Sequence, residues 1–178
     1  MKTKIALLVA CALLGWIENV RAVERGIYIT SNRHNGVNSD GLDIDGCSHV
    51  MVSDCRIDTG DDALCLKTTR TNGQAQPCRY ITVTNCILTS SSAALKIGTE
   101  SHADFEHITV TNCVVDGANR GLNIIVRDGG CVRNVQLFME PEDAVDKRSR
   151  NGFLFHGIDG LSLVDCNVSW NREQPEKT

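Results

Sequence analysis

Apolar residues alternate with polar ones over three to five positions at a time, and turn-forming residues bound each such stretch. His49-Val-Met-Val-Ser-Asp-Cys55, Tyr80-Ile-Thr-Val-Thr-Asn-Cys86, His107-Ile-Thr-Val-Thr-Asn-Cys113 and Gly160-Leu-Ser-Leu-Val-Asp-Cys166 are copies of one phrase. A degenerate copy, Asn134-Val-Gln-Leu-Phe-Met-Glu140, lies between the last two. The final positions, 55, 86, 113, 140 and 166, step by 31, 27, 27 and 26 residues. A second phrase runs alongside it: Leu42-x-Ile44, Leu64-x-Leu66, Leu95-x-Ile97, Leu122-x-Ile124 and Phe153-x-Phe155. Alternation over so few residues is strand periodicity, and β-branched residues dominate the first phrase. Short strands repeating every 22–31 residues predict a solenoid with parallel stacked coils. A leucine-rich repeat needs a helical return, and no 3.6-residue apolar stripe separates the phrases. The expected fold is all-β, a right-handed parallel β-helix of about five to six coils.

In such a coil Val50, Val52, Ile81, Val83, Ile108 and Val110 point inward and stack. Cys55, Cys86, Cys113 and Cys166 form a further inward column. Nine cysteines, one of them (Cys11) near the start, leave eight, an even number that invites disulfides. Yet parallel side chains about 4.8 Å apart seldom present the torsion a bridge needs, so buried free thiols are expected. Cys47, Cys65, Cys78 and Cys131 fall outside the column, and spacing alone does not pair them. Asn85 and Asn112 recur just before the cysteine column and read as turn or ladder residues.

The 178 residues suffice for one domain. A net charge of -4 gives no basic footprint for nucleic acid. Residues 1–22 combine a basic start, an apolar run too short to span a bilayer and a closing Ala22, which describes a secretory signal peptide; a buried core helix is the competing reading. No other stretch suits a membrane. The expected organisation is a leader over 1–22, a partial β-helix over 23–170 and a polar tail over 171–178, exported and monomeric. Glu140–Arg150 reads as a charged loop inserted into a coil, and Asn167-Val-Ser169 is a glycosylation sequon. There is no CxxC, and no cofactor or metal is expected.

Candidate chemistry sits between residues 38 and 68. Asp40 precedes Leu42 by two, Asp62 precedes Leu64 by two, and Asp61 adjoins Asp62. If Leu42 and Leu64 are equivalent on successive coils, three carboxylates share one small region, the equipment for cleaving glycosidic bonds. The competing reading is turn formers or a calcium site.

At Asn38-Ser-Asp40 and Gly60-Asp-Asp62, with Asp40 and Asp61 21 apart, the sequence resembles the polygalacturonases, glycoside hydrolase family 28. The likeness continues through Ala94-Leu-Lys-Ile-Gly-Thr-Glu-Ser101 and covers roughly residues 24–170. It implies hydrolysis of a pectic polysaccharide with inversion, Asp61 as general acid, and Asp40 and Asp62 activating water. Two close carboxylates push one pKa upward, which suits that division. An inverting enzyme needs a carboxylate gap of about 6.5–9.5 Å, which neighbouring coils and side-chain reach are expected to span. The family's Gly-His-Gly aligns with Ser92-Ala-Ala94, and its Arg-Ile-Lys, which grips the substrate carboxylate, with Asn123-Ile-Ile125. Neither the histidine nor a basic residue is in register. Lys96, Arg120, Arg127, Lys67 and His102 are the candidate substrate-binding replacements. Family members usually have about ten coils, and the first ones are missing here. Two alternatives stay open: a catalytically inactive carbohydrate-binding solenoid, and a pectate lyase of the same architecture using calcium and a basic residue.

Overall fold

The computed structural model describes residues 7–10, 22–31, 38–142, 153–156 and 161–163, and all its regular elements are strands. They are β1 (Leu7–Ala10), β2 (Ala22–Arg25), β3 (Tyr28–Thr30), β4 (Leu42–Asp45), β5 (Ser48–Ser53), β6 (Arg56–Thr59), β7 (Leu64–Thr68), β8 (Cys78–Thr84) and β9 (Ile87–Ser90). There follow β10 (Ala93–Ser101), β11 (Phe105–Asp116), β12 (Arg120–Ile125), β13 (Val132–Glu142), β14 (Phe153–His156) and β15 (Leu161–Leu163). One sheet runs β1-β4-β7-β10-β12-β14 and the other β2-β5-β8-β11-β9-β6-β3, with β13 on β11 and β15 on β13. Each of these pairings is parallel. This is a β-solenoid of the parallel β-helix type. Four turns are described through, 42–59, 64–90, 93–116 and 120–142, fewer than the five or six coils expected. The difference arises because the flanking rungs, β1–β3 and β14–β15, are described only in part.

Register follows the repeated phrases. Leu42, Leu64, Leu95, Leu122 and Phe153 pair in one line, and Val52, Val83, Val110 and Leu137 in another. The degenerate copy stacks like the others, with Val135 on Ile108 and Leu161 on Val135. The six β-branched residues expected inside are all buried. So are Cys55, Cys86 and Cys113, and all three are free thiols. Cys47, Cys65 and Cys78 are also free and buried, and Cys131 is free and half-buried. Cys11, Cys166, the Asn167 sequon, the 143–150 part of the charged insertion and the polar tail lie outside the described residues. So does most of the expected leader; its described part, β1, pairs parallel with β4.

Two corners explain the repeat's turn chemistry. His49, Tyr80, His107 and Asn134 share one corner, each with φ between 54° and 60°. Three of them stack ring on ring, 4.8 and 4.9 Å between centroids. Asp54, Asn85 and Asn112 share the next, with φ between 52° and 57°. Asn and Asp tolerate that left-handed conformation better than other residues bearing a Cβ. Here they also ladder, Asn112 Nδ2 donating to Asn85 Oδ1 at 3.2 Å and Asn85 Nδ2 to Asp54 Oδ1 at 2.5 Å. β11 runs unbroken past this corner, pairing β8 through Thr111 and β9 from Val114, so it joins two walls of the coil.

Leu95 lies at the centre of its ladder and is fully buried. Leu95→Ala is expected to lower unfolding free energy by about 2–5 kcal/mol in denaturant titration. Exposed Thr82→Ala, one wall away, should stay within about 0.5 kcal/mol.

Candidate active site

The turn between β6 and β7 and the segment before β4 carry the three aspartates. Asp40 and Asp62 each precede a ladder leucine by two residues, so the Leu42–Leu64 pairing stacks them. Gly41 lies tight beneath this arrangement; an added Cβ would lie 2.4 Å from Ile57 Cγ2 and 2.5 Å from the Ala63 carbonyl oxygen. The amide of Asp62 donates to Asp40 Oδ1 (3.2 Å) and Asp61 Oδ1 (3.0 Å). Asp61 Oδ2 accepts the Asn38 amide at 3.0 Å. Nearest carboxylate oxygens of Asp40, Asp61 and Asp62 lie within 4.8 Å of one another. This is a distance between single nearest oxygens; the gap of about 6.5–9.5 Å expected of an inverting glycosidase is measured between whole carboxyl groups.

Two lysines balance the carboxylates. Lys67 Nζ reaches Asp40 Oδ2 and Asp43 Oδ2, both at 2.8 Å. Lys96 Nζ reaches Asp62 Oδ2 at 2.7 Å, and the Ala93 amide donates to Asp62 Oδ1 at 3.0 Å. Asp62 is buried, its side chain 2% exposed. Ala93 stands in the same column as Asp62. The triplet could offer oxygens to a cation, but the two ammonium groups already hold Asp40 and Asp62.

Electrostatics separates the acids. Burial raises Asp61, and the charges of Asp62 and Asp40 raise it further. Burial also raises Asp43, to about 6, against the opposing Lys67 hydrogen bond. Burial opposes the Lys67 ammonium, but the Cys65 sulfur and the hydrogen bonds to Asp40 and Asp43 outweigh it and raise its pKa. Lys96 is likewise raised, burial being outweighed by its bond to Asp62.

The structure thus brings Asp40, Asp61, Asp62, Lys67 and Lys96 together. Arg120 joins their column, paired in register with Ala93, and its Nε is buried without a partner. Arg127 turns elsewhere, its side chain exposed and 3.8 Å from Asp128, and the His102 backbone amide donates to the Thr68 carbonyl. Two residues enter that spacing alone did not single out as site members, Asp43 and Asn123. Both stand in the outward column Asp43–Cys65–Lys96–Asn123. The signal was there, a run of polar residues in one column beside the triplet. Although outward by alternation, Cys65 and Asn123 are buried, and the Cys65 thiol donates to the Gly98 carbonyl at 3.3 Å. Gly98 seals this floor: at φ 91° a Cβ would lie 1.9 Å from the Ile125 carbonyl oxygen.

No family model and no curated protein matches the chain. Among solved structures it is similar to a hyperthermoactive exopolygalacturonase from Thermotoga maritima, with 27% identity and a TM-score of 0.56. The match covers 66% of this chain and 30% of that one, so the chain spans about 30% of the enzyme's length.

Lys96→Met strands the buried Asp62 carboxylate and is expected to cost about 3 kcal/mol in denaturant titration, with Lys96→Arg restoring most of it. Asp43 has a folded pKa of about 6, above its ordinary 3.8, so its contribution is full below the ordinary value and lost as pH rises through about 6. Stability should therefore decline across that window from this group. Asp43→Asn should flatten the decline in melts at successive pH values.

Proposed function

We propose that the chain is a secreted glycoside hydrolase cleaving α-glycosidic bonds in pectic polysaccharide, polygalacturonan or rhamnogalacturonan, by inverting acid–base hydrolysis. The observation that carries this is Asp61. It lies with two other carboxylates inside 4.8 Å, and burial together with their charges raises its pKa. A raised, half-buried carboxyl beside lysine-bound neighbours is equipped to hold a proton for a leaving oxygen. Asp40 and Asp62 would hold the water, which two oxygens within 4.8 Å can grip together by ordinary hydrogen bonds. Arg120 would bind a substrate carboxylate through its fork of donors. Lys67 and Lys96 would keep the base side charged, and Arg127 and His102 would act only at a more distant sugar. The similarity to an exopolygalacturonase supports the pectic substrate, and the basic-then-apolar pattern of residues 1–22 supports export.

One observation favours a solenoid that binds carbohydrate without turnover. Asp62 is nearly inaccessible, and each of its oxygens already accepts a bond from the next coil. Turnover of Asp61→Asn separates the two readings. On the hydrolase reading it falls about 10²–10⁴-fold while oligomer binding is retained, and the parent's first-formed anomer by proton NMR is inverted. The rate should fall as pH rises past the Asp61 pKa, since the acid must carry its proton, and the raised value moves that limb toward neutrality. A folded parent that binds but never releases reducing ends leaves the binding module.

A further inference from the structure

The two ammonium groups at the site are shared unequally among its carboxylates. Lys96 Nζ bonds Asp62 Oδ2 at 2.7 Å, and the Ala93 amide fills the other Asp62 oxygen at 3.0 Å. That pair is balanced in charge and closed to water, the Asp62 side chain being 2% exposed. Lys67 Nζ instead lies at the same distance, 2.8 Å, from Asp40 Oδ2 and from Asp43 Oδ2. One positive charge divided between two carboxylates leaves that trio with a negative charge in excess. The trio is also wetter, with Asp40 19% and Asp43 14% exposed. Of the two carboxylates proposed to hold water, Asp40 is therefore the more open and the less neutralised.

The charged surroundings of Asp43 are few among the described residues. Its own segment carries Asp40 and Asp45, and Asp45 Oδ1 accepts the Thr69 amide at 2.8 Å. β7 presents Lys67 and Cys65; burial keeps the Cys65 thiol protonated, and it donates to the Gly98 carbonyl. Across the site stand Asp61, Asp62 and Lys96. On its other side β1 pairs Leu8 with Asp43 and adds no titratable residue at that position. Burial raises Asp43 to about 6. Above that pH it is an anion and claims a share of Lys67; below it, Asp43 is neutral and Lys67 is left to Asp40.

We propose that Asp43 is a positioning residue: by competing for Lys67 it leaves Asp40 only partly neutralised, so that Asp40, and not Asp62, takes the proton of the attacking water. The inference rests on the hydrolase reading and adds a division of labour between its two water-holding carboxylates. In that step the water oxygen bonds to the anomeric carbon as the glycosidic C–O bond breaks. One water proton passes to Asp40, and the Asp61 proton passes to the leaving oxygen. Acid turns the device down, because neutral Asp43 releases Lys67 to Asp40.

The test compares the parent with Asp43→Asn and Asp43→Leu on whichever of polygalacturonan and rhamnogalacturonan the parent cleaves. At about pH 7, kcat of both variants should fall about ten-fold with KM unchanged, a base-side effect. At about pH 5 they should match the parent, in which Asp43 has already lost its charge. An equal loss at both pH values marks a merely structural role and overturns the inference, as does no loss at either. A second arm needs no turnover. Aspartate carboxyl-carbon resonances are followed with pH in the Asp61→Asn chain, where the Asp61 titration does not overlap. The Asp40 resonance should show a step near pH 6 that Asp43→Asn removes. A missing step in the parent Asp43 background, or one that survives Asp43→Asn, overturns the inference, and the missing step decides it even where a variant does not fold. A step without release of sugar by the parent chain retires the hydrolase reading and leaves the competition for Lys67 standing; turnover without a step retires this inference alone.

Discussion

Parallel strand pairing at about 4.8 Å is the constraint on which the rest of this molecule depends. It places every residue directly over its equivalent one turn away. For leucine, valine and cysteine, like over like is favourable, and the interior is built that way from Leu42 to Leu122. For charge it is costly. Asp40 over Asp62 is a stacked pair of anions, and the fold tolerates it because Lys67 and Lys96 reach across from neighbouring positions. The site is thus a place where the stacking rule is violated and compensated, with burial and the neighbouring charges raising Asp61.

The two lysines do different work. Lys67 spans Asp40 and Asp43 and ties the segment before β4, and β4 itself, to β7. Lys96 comes from the next coil and meets Asp62. Both lysines are thereby engaged by carboxylates.

Much of this could be read from residue spacing. The Cys-terminated phrase and the Leu-x-Ile phrase stated the strands, their register and the stacking of Asp40 on Asp62, since each follows from counting residues between equivalents. Asn85 and Asn112 were legible as turn or ladder residues, and their left-handed conformation was not. What counting could not deliver was reach. Nothing in the spacing says that the four-carbon stem of Lys96 bends onto Asp62, or that Asn123, outward by alternation, ends up buried. The coil count needed the ends of the stack, whose rungs are described only in part.

Because Asp40, Asp62 and Lys96 sit on three successive rungs, their mutual distances are set by the spacing of the coils and not by any one loop. A parallel β-helix is in this sense a spring with chemistry wound into it. The Coulomb influence of Asp40 on Asp61 varies inversely with distance, so the pitch of the coils enters the proton affinity of Asp61, beside the larger contribution of burial.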